Sequence, residues 1–362
     1  MNIVCYINKL NDGGAERVMS VLANGLFKRG HKVIMVTDYS TPNEYPLEAG
    51  VIRVTLDGDV SDRNPNAGSR TKDRIVKLRK ICKESQVDIV VSFMRLANFR
   101  SILATRFLKT KNLISVRIDP KIGYRNKKEA MLAKVLYPLS NGCVFQTYDA
   151  KAWFSPSVQK RSRVIFNPVS AVFYHIEPAA MQEKKIVTCG RLAKQKRFDL
   201  LIDAFHKVCD EFPEYTLEIY GVGAQQESLQ KKIDTLGRQE RIKLMGRSED
   251  VPNTIKTASL FVLSSDFEGL PNALMEAMAL HLPVVSTDCG GGGARALIED
   301  GVDGLIVPCN DADALAEAIR KNLANPEAAK LRGEKAGEKA KGFSTENVVA
   351  QWESYIKQIV EK

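Results

Sequence analysis

Short apolar runs alternate with longer amphipathic stretches along this chain of 362 residues, and this alternation limits the possible folds most strongly. The apolar runs are strand-sized, and the stretches between them have helical periodicity. A β-α-β-α rhythm of this kind predicts parallel sheets with helices on both faces. The rhythm restarts after a segment at residues 166–184. We therefore predict an α/β fold with two doubly wound domains, at residues 1–166 and 183–344.

The strongest patterns can be assigned to individual elements. They predict strands at 2–7, 32–37, 88–93, 185–189, 215–220, 259–263 and 283–286, and helices at 14–29, 70–85, 98–108, 198–211, 224–236, 271–280 and 311–323. The C-terminal stretch reads as a further helix whose apolar side contains Val348, Val349, Trp352, Tyr355, Ile356 and Ile359. Ligands of doubly wound sheets bind beyond the carboxyl ends of strands, so we expect the site in a cleft between two lobes.

Composition excludes several other classes of protein. Hydrophobic residues make up 44% of the chain and charged residues 27%, which fits neither a disordered nor a collagen-like chain. No apolar run approaches the roughly 18 to 20 residues of a spanning helix, and the N-terminus lacks a signal-peptide pattern. A cytoplasmic location is therefore expected. The seven cysteines form no C-x-x-C pair, and we interpret them as small core side chains.

Positive charge is concentrated in the first half of the chain. Residues 1–183 contain 29 Lys and Arg against 16 Asp and Glu, whereas the rest contains 24 against 27. This asymmetry predicts that the first lobe meets an anionic partner: nucleic acid, a membrane surface or a phosphorylated ligand. The densest basic run, residues 70–83, either lies on anionic lipid or is the solvated face of a helix that packs on the core.

Four turns that follow predicted strands carry candidate site residues, and the first two are glycine-rich or basic. Gly13 and Gly14 precede the first helix, where their backbone amides either bind an anion or only form a turn. Arg191 and Lys196 lie just beyond the strand that ends at Cys189. An arginine fork and a lysine ammonium suit a diphosphate, although both residues could also be ordinary surface charges.

The third turn, in SSDFEGLPNALMEAMA, is the most specific. Pro271 marks the first turn of a helix, so Glu268 lies in the preceding loop and Glu276 lies on the second helical turn. Carboxylates accept hydrogen bonds from neighbouring hydroxyls, so these two could hold two different sugar rings, or else serve the helix dipole and the solvent. A fourth turn has four glycines, Gly290 to Gly293, and allows either close ligand approach or a plain connection.

Five motifs occur in order: GGAER, GRL-x3-K, EGLPNALMEAM, LPVVSTDCGG and EDGVDGLIVP. With these motifs in this order, the chain resembles the retaining glycosyltransferases of the GT-B architecture. The resemblance covers nearly the whole chain and is to the large family-4-like group, whose members assemble bacterial capsule, lipopolysaccharide and N-glycans. The resemblance implies two facing Rossmann-like domains with an inter-domain cleft. It also implies that the last helix, 345–362, packs back on the N-terminal, acceptor-binding domain.

The resemblance assigns roles to the residues of the motifs. Arg191 and Lys196 would bind the donor diphosphate, and with Glu268, which would hold the transferred sugar, they form the expected catalytic set. Glu276 would hold the ribose. The segment at the helix N-terminus would position the sugar and the phosphate through its backbone amides. It consists of Gly269, Leu270, Pro271 and Asn272. Of these four, Pro271 has no amide hydrogen and contributes only its position. Gly13 and Gly14 would lie near the β-phosphate or acceptor, and Arg247 near the nucleobase.

One position departs from the family pattern. Many members carry a histidine in the N-terminal domain where this chain reads ISVRIDP, with Arg117 in that place. An arginine donates hydrogen bonds but does not act as a general base. The acceptor site is expected to include Arg117, Arg95 and Arg125. Further candidates to meet an anionic acceptor or lipid head groups are Arg100, Lys121, Lys127 and Lys128, and the alternative for these basic residues is an ordinary solvated surface.

No metal or other cofactor is expected, because Arg191 and Lys196 supply the charge that a metal would otherwise bring. The Asp57-Gly58-Asp59 sequence matches the Asp-x-Asp motif that binds a metal ion in other glycosyltransferases. It lies in a loop rich in Asp, Ser, Asn and Gly, which is typical of a plain turn.

These features predict a retaining transferase that moves a hexose or N-acetylhexosamine from a UDP-linked sugar. The expected acceptor is a lipid-diphosphate-linked or other oligosaccharide at the inner membrane face of a bacterium. One alternative is a UDP-sugar epimerase of the same architecture. The other is a nucleic-acid-binding protein, although aromatic residues are only 7% of the chain and no nucleic-acid motif occurs, so we expect no nucleic-acid partner.

Overall fold

The computed structural model describes residues 1–11, 13–58, 70–176 and 182–362. Asp59 of the Asp-Gly-Asp sequence and residues 177–181 of the expected connecting segment lie outside the described residues. The chain divides into two compact units. Unit 1 contains residues 1–168 and 345–362, and unit 2 contains residues 169–344. Within the described ranges, none of the helices has the length and apolar character that crossing a bilayer requires.

Unit 1 is built on a seven-stranded parallel sheet with the order β3-β2-β1-β4-β5-β6-β7. Its strands are β1 (Asn2–Ile7), β2 (Lys32–Thr37), β3 (Ile52–Thr55), β4 (Ile89–Phe93), β5 (Lys111–Val116), β6 (Gly142–Phe145) and β7 (Ser162–Val164). Its helices are α1 (Gly14–Lys28), α2 (Arg70–Glu84), α3 (Arg95–Thr105), α4 (Pro120–Gly123), α5 (Lys127–Leu136), α6 (Tyr148–Ala152), α7 (Pro156–Lys160) and, after the whole of unit 2, α16 (Thr345–Val360).

Unit 2 is built on a six-stranded parallel sheet with the order β10-β9-β8-β11-β12-β13. Its strands are β8 (Glu183–Cys189), β9 (Thr216–Tyr220), β10 (Ile242–Gly246), β11 (Ala258–Leu263), β12 (Val284–Thr287) and β13 (Leu305–Val307). Its helices are α8 (Val172–His175), α9 (Phe198–Val208), α10 (Gln226–Thr235), α11 (Val251–Ile255), α12 (Asn272–Ala279), α13 (Gly293–Leu297), α14 (Ala312–Ala324) and α15 (Pro326–Ala340).

The central strands are nearly uniform apolar runs because helices cover both faces of each sheet. In β1, Ile3 pairs with Val33 on one side and with Ile89 on the other, and all three side chains are buried. In unit 2, β8 pairs with β9 and β11 in the same parallel manner. The predicted α/β class with two doubly wound sheets is confirmed.

Each sheet reverses its strand order at one place. In unit 1 the reversal lies between β1 and β4, and in unit 2 it lies between β8 and β11. The loops that leave the two flanking strands diverge to opposite faces there, and the crevice between them is where such folds bind ligands. This rule singles out the loops after β1 and β4 in unit 1, and those after β8 and β11 in unit 2.

Helix α16 completes the core of unit 1. The Trp352 ring is fully buried, with its centroid 5.4 Å from that of Phe93 on β4. Helix α16 also lies very close to α1, since a Cβ placed on Gly25 would be 2.6 Å from Cγ2 of Val349. The apolar side predicted for this helix is buried along its length.

Candidate functional site

The reversal point of unit 2 holds an ion pair between two predicted site residues. Lys196 follows β8 and Glu268 follows β11, and Nζ of Lys196 lies 2.6 Å from Oε1 of Glu268. Their side chains are 17% and 12% exposed, so the pair is largely withdrawn from solvent but still reachable. Parallel strands that are neighbours in the sheet bring together two loops that are far apart in sequence.

Both members of the pair keep unused hydrogen-bonding capacity. Oε1 of Glu268 also accepts a hydrogen bond from Oγ of Ser265, at 2.8 Å. Among the residues that the structure describes, Oε2 of Glu268 has no partner, and Nζ of Lys196 donates only to Glu268. One carboxylate oxygen and two ammonium hydrogens are thus available to a ligand.

Several contacts fix the backbone around Lys196. The residue closes a short 3-10 turn, and its carbonyl accepts a hydrogen bond from Oγ of Ser264 at 2.7 Å. The next residue, Arg197, has a left-handed backbone with φ of 49°, which is uncommon for a residue with a side chain. Its guanidinium is held by Asp266 at 3.0 Å and by Asp199 at 3.2 Å. The loop after β8 is therefore tied directly to the loop after β11.

Glycines allow the loops of this edge to approach one another. A Cβ on Gly190 would lie 3.2 Å from Cε of Lys196, so this glycine leaves room for the lysine side chain. A Cβ on Gly293 would lie 2.8 Å from the carbonyl oxygen of Gly269, which brings the four-glycine turn against the EGLP segment. Glu268 N also donates to the carbonyl of Gly290, at 3.0 Å. The four-glycine turn therefore supports the loop that carries Glu268.

Two predicted cations of unit 2 extend into solvent. Arg191 is exposed, and within the described part of the chain its guanidinium has no hydrogen-bonding or acidic partner. Arg247 is also exposed and unpaired among those residues, and it follows β10, two strand positions from β8. Arg191 thus stands in the same loop as Lys196, whereas Arg247 lies toward one end of the sheet.

Glu276 lies inside α12 and is buried, at 9% exposure. Burial raises the pKa of Cys189, at the end of β8, to about 12, and the nearby Glu276 carboxylate adds to this rise. Cys289 has its pKa raised to about 12 by burial, with Glu268 as a smaller contributor. Both cysteines are therefore neutral thiols at physiological pH, and neither serves as an ionised nucleophile.

Helix α12 begins at Asn272, directly after Gly269, Leu270 and Pro271.

In unit 1, Gly13 and Gly14 form the start of α1, as the sequence indicated, but the Glu16 side chain lies against Gly13. A Cβ on Gly13 would lie 1.9 Å from Oε2 of Glu16, so a carboxylate of the chain already occupies the space beside this helix N-terminus. Glu16 is 9% exposed. A ligand anion at this turn would have to displace the Glu16 side chain, which sequence reasoning did not anticipate.

The reversal point of unit 1 opens into a cavity of about 300 Å³. It is bounded by residues that follow β1, β4 and β5, and most of its wall is apolar. Two of the predicted acceptor residues line it, Arg95 and Arg117, together with Asn8, Met94, Leu96, Asn98, Ser115, Val116, Ile118, Gly123 and Tyr124.

The other basic candidates of unit 1 separate into two groups. Arg125, Lys121, Lys127 and Lys128 are exposed. Arg100, in contrast, is buried and donates to Asp38 at 2.6 Å and to the Tyr6 hydroxyl at 3.2 Å, so the expectation that it meets an acceptor is wrong. On α2, Arg74 pairs with Asp57 and Asp38, and Leu78 and Cys82 are buried. Part of the basic run therefore packs within unit 1.

Within the described ranges, no group of three or more His, Cys, Asp or Glu side chains is placed to hold a metal ion. Asp57 pairs instead with Arg74 at 2.5 Å.

Both halves of the chain match glycosyltransferase family models. Residues 12–171 match the model described as Glycosyltransferase Family 4, and residues 175–340 match the model described as Glycosyl transferases group 1.

Relatives of known name cover the whole chain. The chain is 28% identical, over 99% of both sequences, to the Campylobacter jejuni GalNAc-alpha-(1->4)-GalNAc-alpha-(1->3)-diNAcBac-PP-undecaprenol alpha-1,4-N-acetyl-D-galactosaminyltransferase. It is 25% identical, over 97% of this chain and 98% of the relative, to a second Campylobacter jejuni protein, N-acetylgalactosamine-N,N'-diacetylbacillosaminyl-diphospho-undecaprenol 4-alpha-N-acetylgalactosaminyltransferase.

Solved structures share the fold at low identity. The Anabaena protein HepE, solved in complex with UDP, superposes with a TM-score of 0.82 at 16% identity, covering 99% of this chain and all of HepE. A sucrose-phosphate synthase from Thermosynechococcus elongatus gives 0.84 at 17% identity, over 99% of both chains. With a Family 4 region followed by a group 1 region on this fold, the chain belongs to the two-domain glycosyltransferases of the GT-B type.

Proposed function

We propose that this protein transfers a hexose or N-acetylhexosamine from a UDP-sugar to a lipid-diphosphate-linked oligosaccharide, with retention at the anomeric carbon and without a metal ion. Unit 2 binds the donor, and unit 1 binds the acceptor. Retention and the choice of UDP come from the family resemblance. The acceptor class is supported by the two Campylobacter relatives, whose names specify undecaprenol diphosphate carriers.

The Lys196–Glu268 pair carries this proposal. It places a cation and a carboxylate 2.6 Å apart at the reversal point of unit 2, each with capacity left for a ligand. A sugar diphosphate has the matching groups, since its phosphates accept hydrogen bonds and its sugar hydroxyls donate them. The exposed guanidinium of Arg191, in the same loop as Lys196, adds a second positive charge for the diphosphate.

In the proposed reaction, the bond between the anomeric carbon and the β-phosphate oxygen breaks, and a bond to the acceptor hydroxyl oxygen forms on the same face. The leaving phosphate takes the acceptor proton. Lys196 and Arg191 stabilise the negative charge that develops on the leaving UDP, and this is electrostatic work that a divalent metal performs in other transferases. Oε2 of Glu268 holds hydroxyls of the transferred sugar, and Glu276 holds the ribose.

The test combines donor binding with transfer. A panel of UDP-, GDP- and ADP-sugars is added to the purified protein and melting temperatures are recorded, because a ligand that binds only the native state raises them. UDP comes first because the fold relative HepE was solved with it. Stabilising donors are then incubated with undecaprenyl-diphosphate-linked oligosaccharides, and the anomeric configuration of the product is read by NMR.

We expect stabilisation by one UDP-sugar and an α-linked product from an α-linked donor. A β-linked product would disprove retention. Interconversion of the donor in the absence of any acceptor would indicate the epimerase instead. If no nucleotide sugar changes the melting temperature, the proposed donor site is wrong.

A further inference from the structure

Arg117 is a buried cation whose charge is not neutralised by any carboxylate among the described residues. The residue is 9% exposed, and its Nε and Nη1 atoms are both buried without a hydrogen-bond partner among the described residues. Its contacts are neutral: Nη2 donates to Oδ1 of Asn167, and the guanidinium carbon lies 4.6 Å above the centre of the Phe93 ring. Buried charges are normally paired, so two orphaned guanidinium donors require an explanation.

A second buried arginine of the same unit provides the comparison. Arg100 is 4% exposed, and Asp38 and the Tyr6 hydroxyl both accept hydrogen bonds from its guanidinium. In the described part of unit 1, Arg100 is thus neutralised by a carboxylate, whereas Arg117 is not. Burial lowers the pKa of the Arg117 guanidinium to about 9, so the group remains cationic at neutral pH.

Arg117 is one of the residues that line the cavity of about 300 Å³ at the reversal point of unit 1. Arg95 lines the same cavity, and its Nε atom is also buried and unpartnered among the described residues. Nη2 of Arg95 pairs with Glu129 at 2.9 Å, and its Nη1 donates to the carbonyl of Gly123. Two residues that line the cavity thus carry buried guanidinium N–H donors without a partner among the described residues, and most of the cavity wall is apolar.

We propose that this cavity binds an oxyanion of the acceptor, with Nε and Nη1 of Arg117 as its principal hydrogen-bond donors. The inference rests on the proposed transferase function only in assigning the oxyanion to the acceptor. The oxyanion is either a phosphoryl group of the carrier or the carboxylate of an acidic sugar, because a guanidinium fork binds both in the same geometry. Arg117 then selects charged acceptors over neutral ones, a role that a neutral imidazole would not fill.

The first experiment measures binding of small probes by calorimetry on the full-length protein at constant ionic strength. Saturating UDP is present, so that phosphate groups do not enter the donor site. The probes are inorganic diphosphate, D-glucuronate and, as the neutral control, D-glucose. We expect at least one anionic probe to bind about ten-fold or more tightly than glucose, as a charge-assisted hydrogen bond to a buried donor implies.

Two substitutions separate ligand binding from a structural role. Arg117→Met removes the charge but keeps an unbranched apolar side chain, and Asn167→Asp supplies a carboxylate where Arg117 already donates. Both relieve an unpaired buried charge, so both variants are expected to melt at or above the temperature of the wild type while losing the preference for anions. If Arg117 were only structural, Arg117→Met would instead lower the melting temperature.

The probe measurements either identify the ligand of the cavity or overturn the inference. Tighter binding of diphosphate identifies a phosphoryl group as the ligand, and tighter binding of glucuronate identifies a carboxylate. Equal binding of all three probes by the wild type, or an anion preference that survives in Asn167→Asp, overturns the inference. Should Arg117→Met fail to fold, Asn167→Asp gives the same information. Absence of UDP binding would count against the proposed donor site, and the loss or survival of the anion preference in Asn167→Asp would still test the role of Arg117.

Discussion

Nζ of Lys196 and Oε1 of Glu268 lie 2.6 Å apart although 71 residues separate the two positions in the chain. Their contact results from the order of the sheet, in which β8 and β11 are neighbours because the strand order reverses between them. The pair holds the lysine side chain in one orientation. If Lys196 binds the donor diphosphate, as we propose, it does not need to be ordered on binding.

Removal of either partner is expected to abolish most transferase activity. Lys196→Ala and Glu268→Gln should each lower kcat by roughly 100- to 1000-fold, the range seen when one preorganised electrostatic contact to a transition state is lost. Lys194→Ala is the matched control, because Lys194 lies in the same 3-10 turn but is exposed. Initial rates with a fixed UDP-sugar check this. Near-normal rates in both site variants would remove the pair from the catalytic set.

The contact between the four-glycine turn and the EGLP segment is expected to be sensitive to a single methyl group. Gly293→Ala places a Cβ 2.8 Å from the Gly269 carbonyl oxygen and from Cδ of Pro271, so the two loops must separate. We expect a loss of about 1–3 kcal/mol in unfolding free energy and weaker donor binding. Gly342→Ala, at an exposed position with open space for a Cβ, should change neither quantity. Equal effects at both sites would contradict the packing described.

Trp352 is expected to contribute more to stability than any exposed residue of α16. Trp352→Ala removes a fully buried ring beside Phe93 and should cost about 3–5 kcal/mol in denaturant unfolding monitored by circular dichroism. Ser354→Ala, on the exposed side of the same helix, should be nearly neutral. A Trp352→Ala variant as stable as Ser354→Ala would mean that α16 is not anchored in unit 1.

Acid stability is expected to depend on Glu353, also on α16. A hydrogen bond from Lys357 at 2.6 Å and another with His31 at 3.0 Å lower the pKa of Glu353 to about 2. A carboxylate with a lowered folded-state pKa stabilises the protein above its ordinary pKa of 4.5, and this stabilisation is lost as pH falls through the folded value.

Glu353→Gln should therefore melt at a lower temperature than the wild type at pH 6, and the difference should shrink steadily from pH 5 to pH 2. Thermal scans across this range provide the measurement. A difference that stays constant with pH would show that the charge of Glu353 is not responsible.

Chelators are expected to leave transfer unchanged. Because Lys196 and Arg191 are assigned the neutralisation of the leaving diphosphate, millimolar EDTA should not lower the initial rate or reduce the stabilisation by UDP-sugar. Addition of Mg²⁺ or Mn²⁺ after EDTA provides the control. Restoration of a lost rate by either ion would demonstrate a metal requirement and exclude the metal-free proposal.

The sequence is sufficient for the fold class because the central strands of both sheets are continuous apolar runs. It is less informative at the edges. Strand β10 alternates between buried and exposed positions, and β7 has three half-buried residues, so neither produces a strong apolar signal. Helix α9 ends at Val208, three residues before its predicted end at 211, because helix ends are weakly encoded.

The candidate site was predictable in its residue types but not in its pairings. The position of Glu268 beside Lys196 depends on strand order, which no local pattern reveals. The same holds for Arg100, whose partner Asp38 lies 62 residues away. Ser265, which fixes Oε1 of Glu268, could have been suspected from the serine pair at the end of the predicted strand. The Glu16 side chain over Gly13 carried no comparable signal.

Helix α16 follows the whole of unit 2 in the sequence but belongs to unit 1. During translation, the first unit leaves the ribosome without the helix that covers Phe93 and the neighbouring apolar surface of its sheet. All of unit 2 must be made before that surface is covered. The usual order of folding, in which an N-terminal domain is complete before the next emerges, is therefore unavailable to this protein. The apolar surface of unit 1 that α16 covers would therefore need protection by a chaperone for as long as unit 2 is being synthesised.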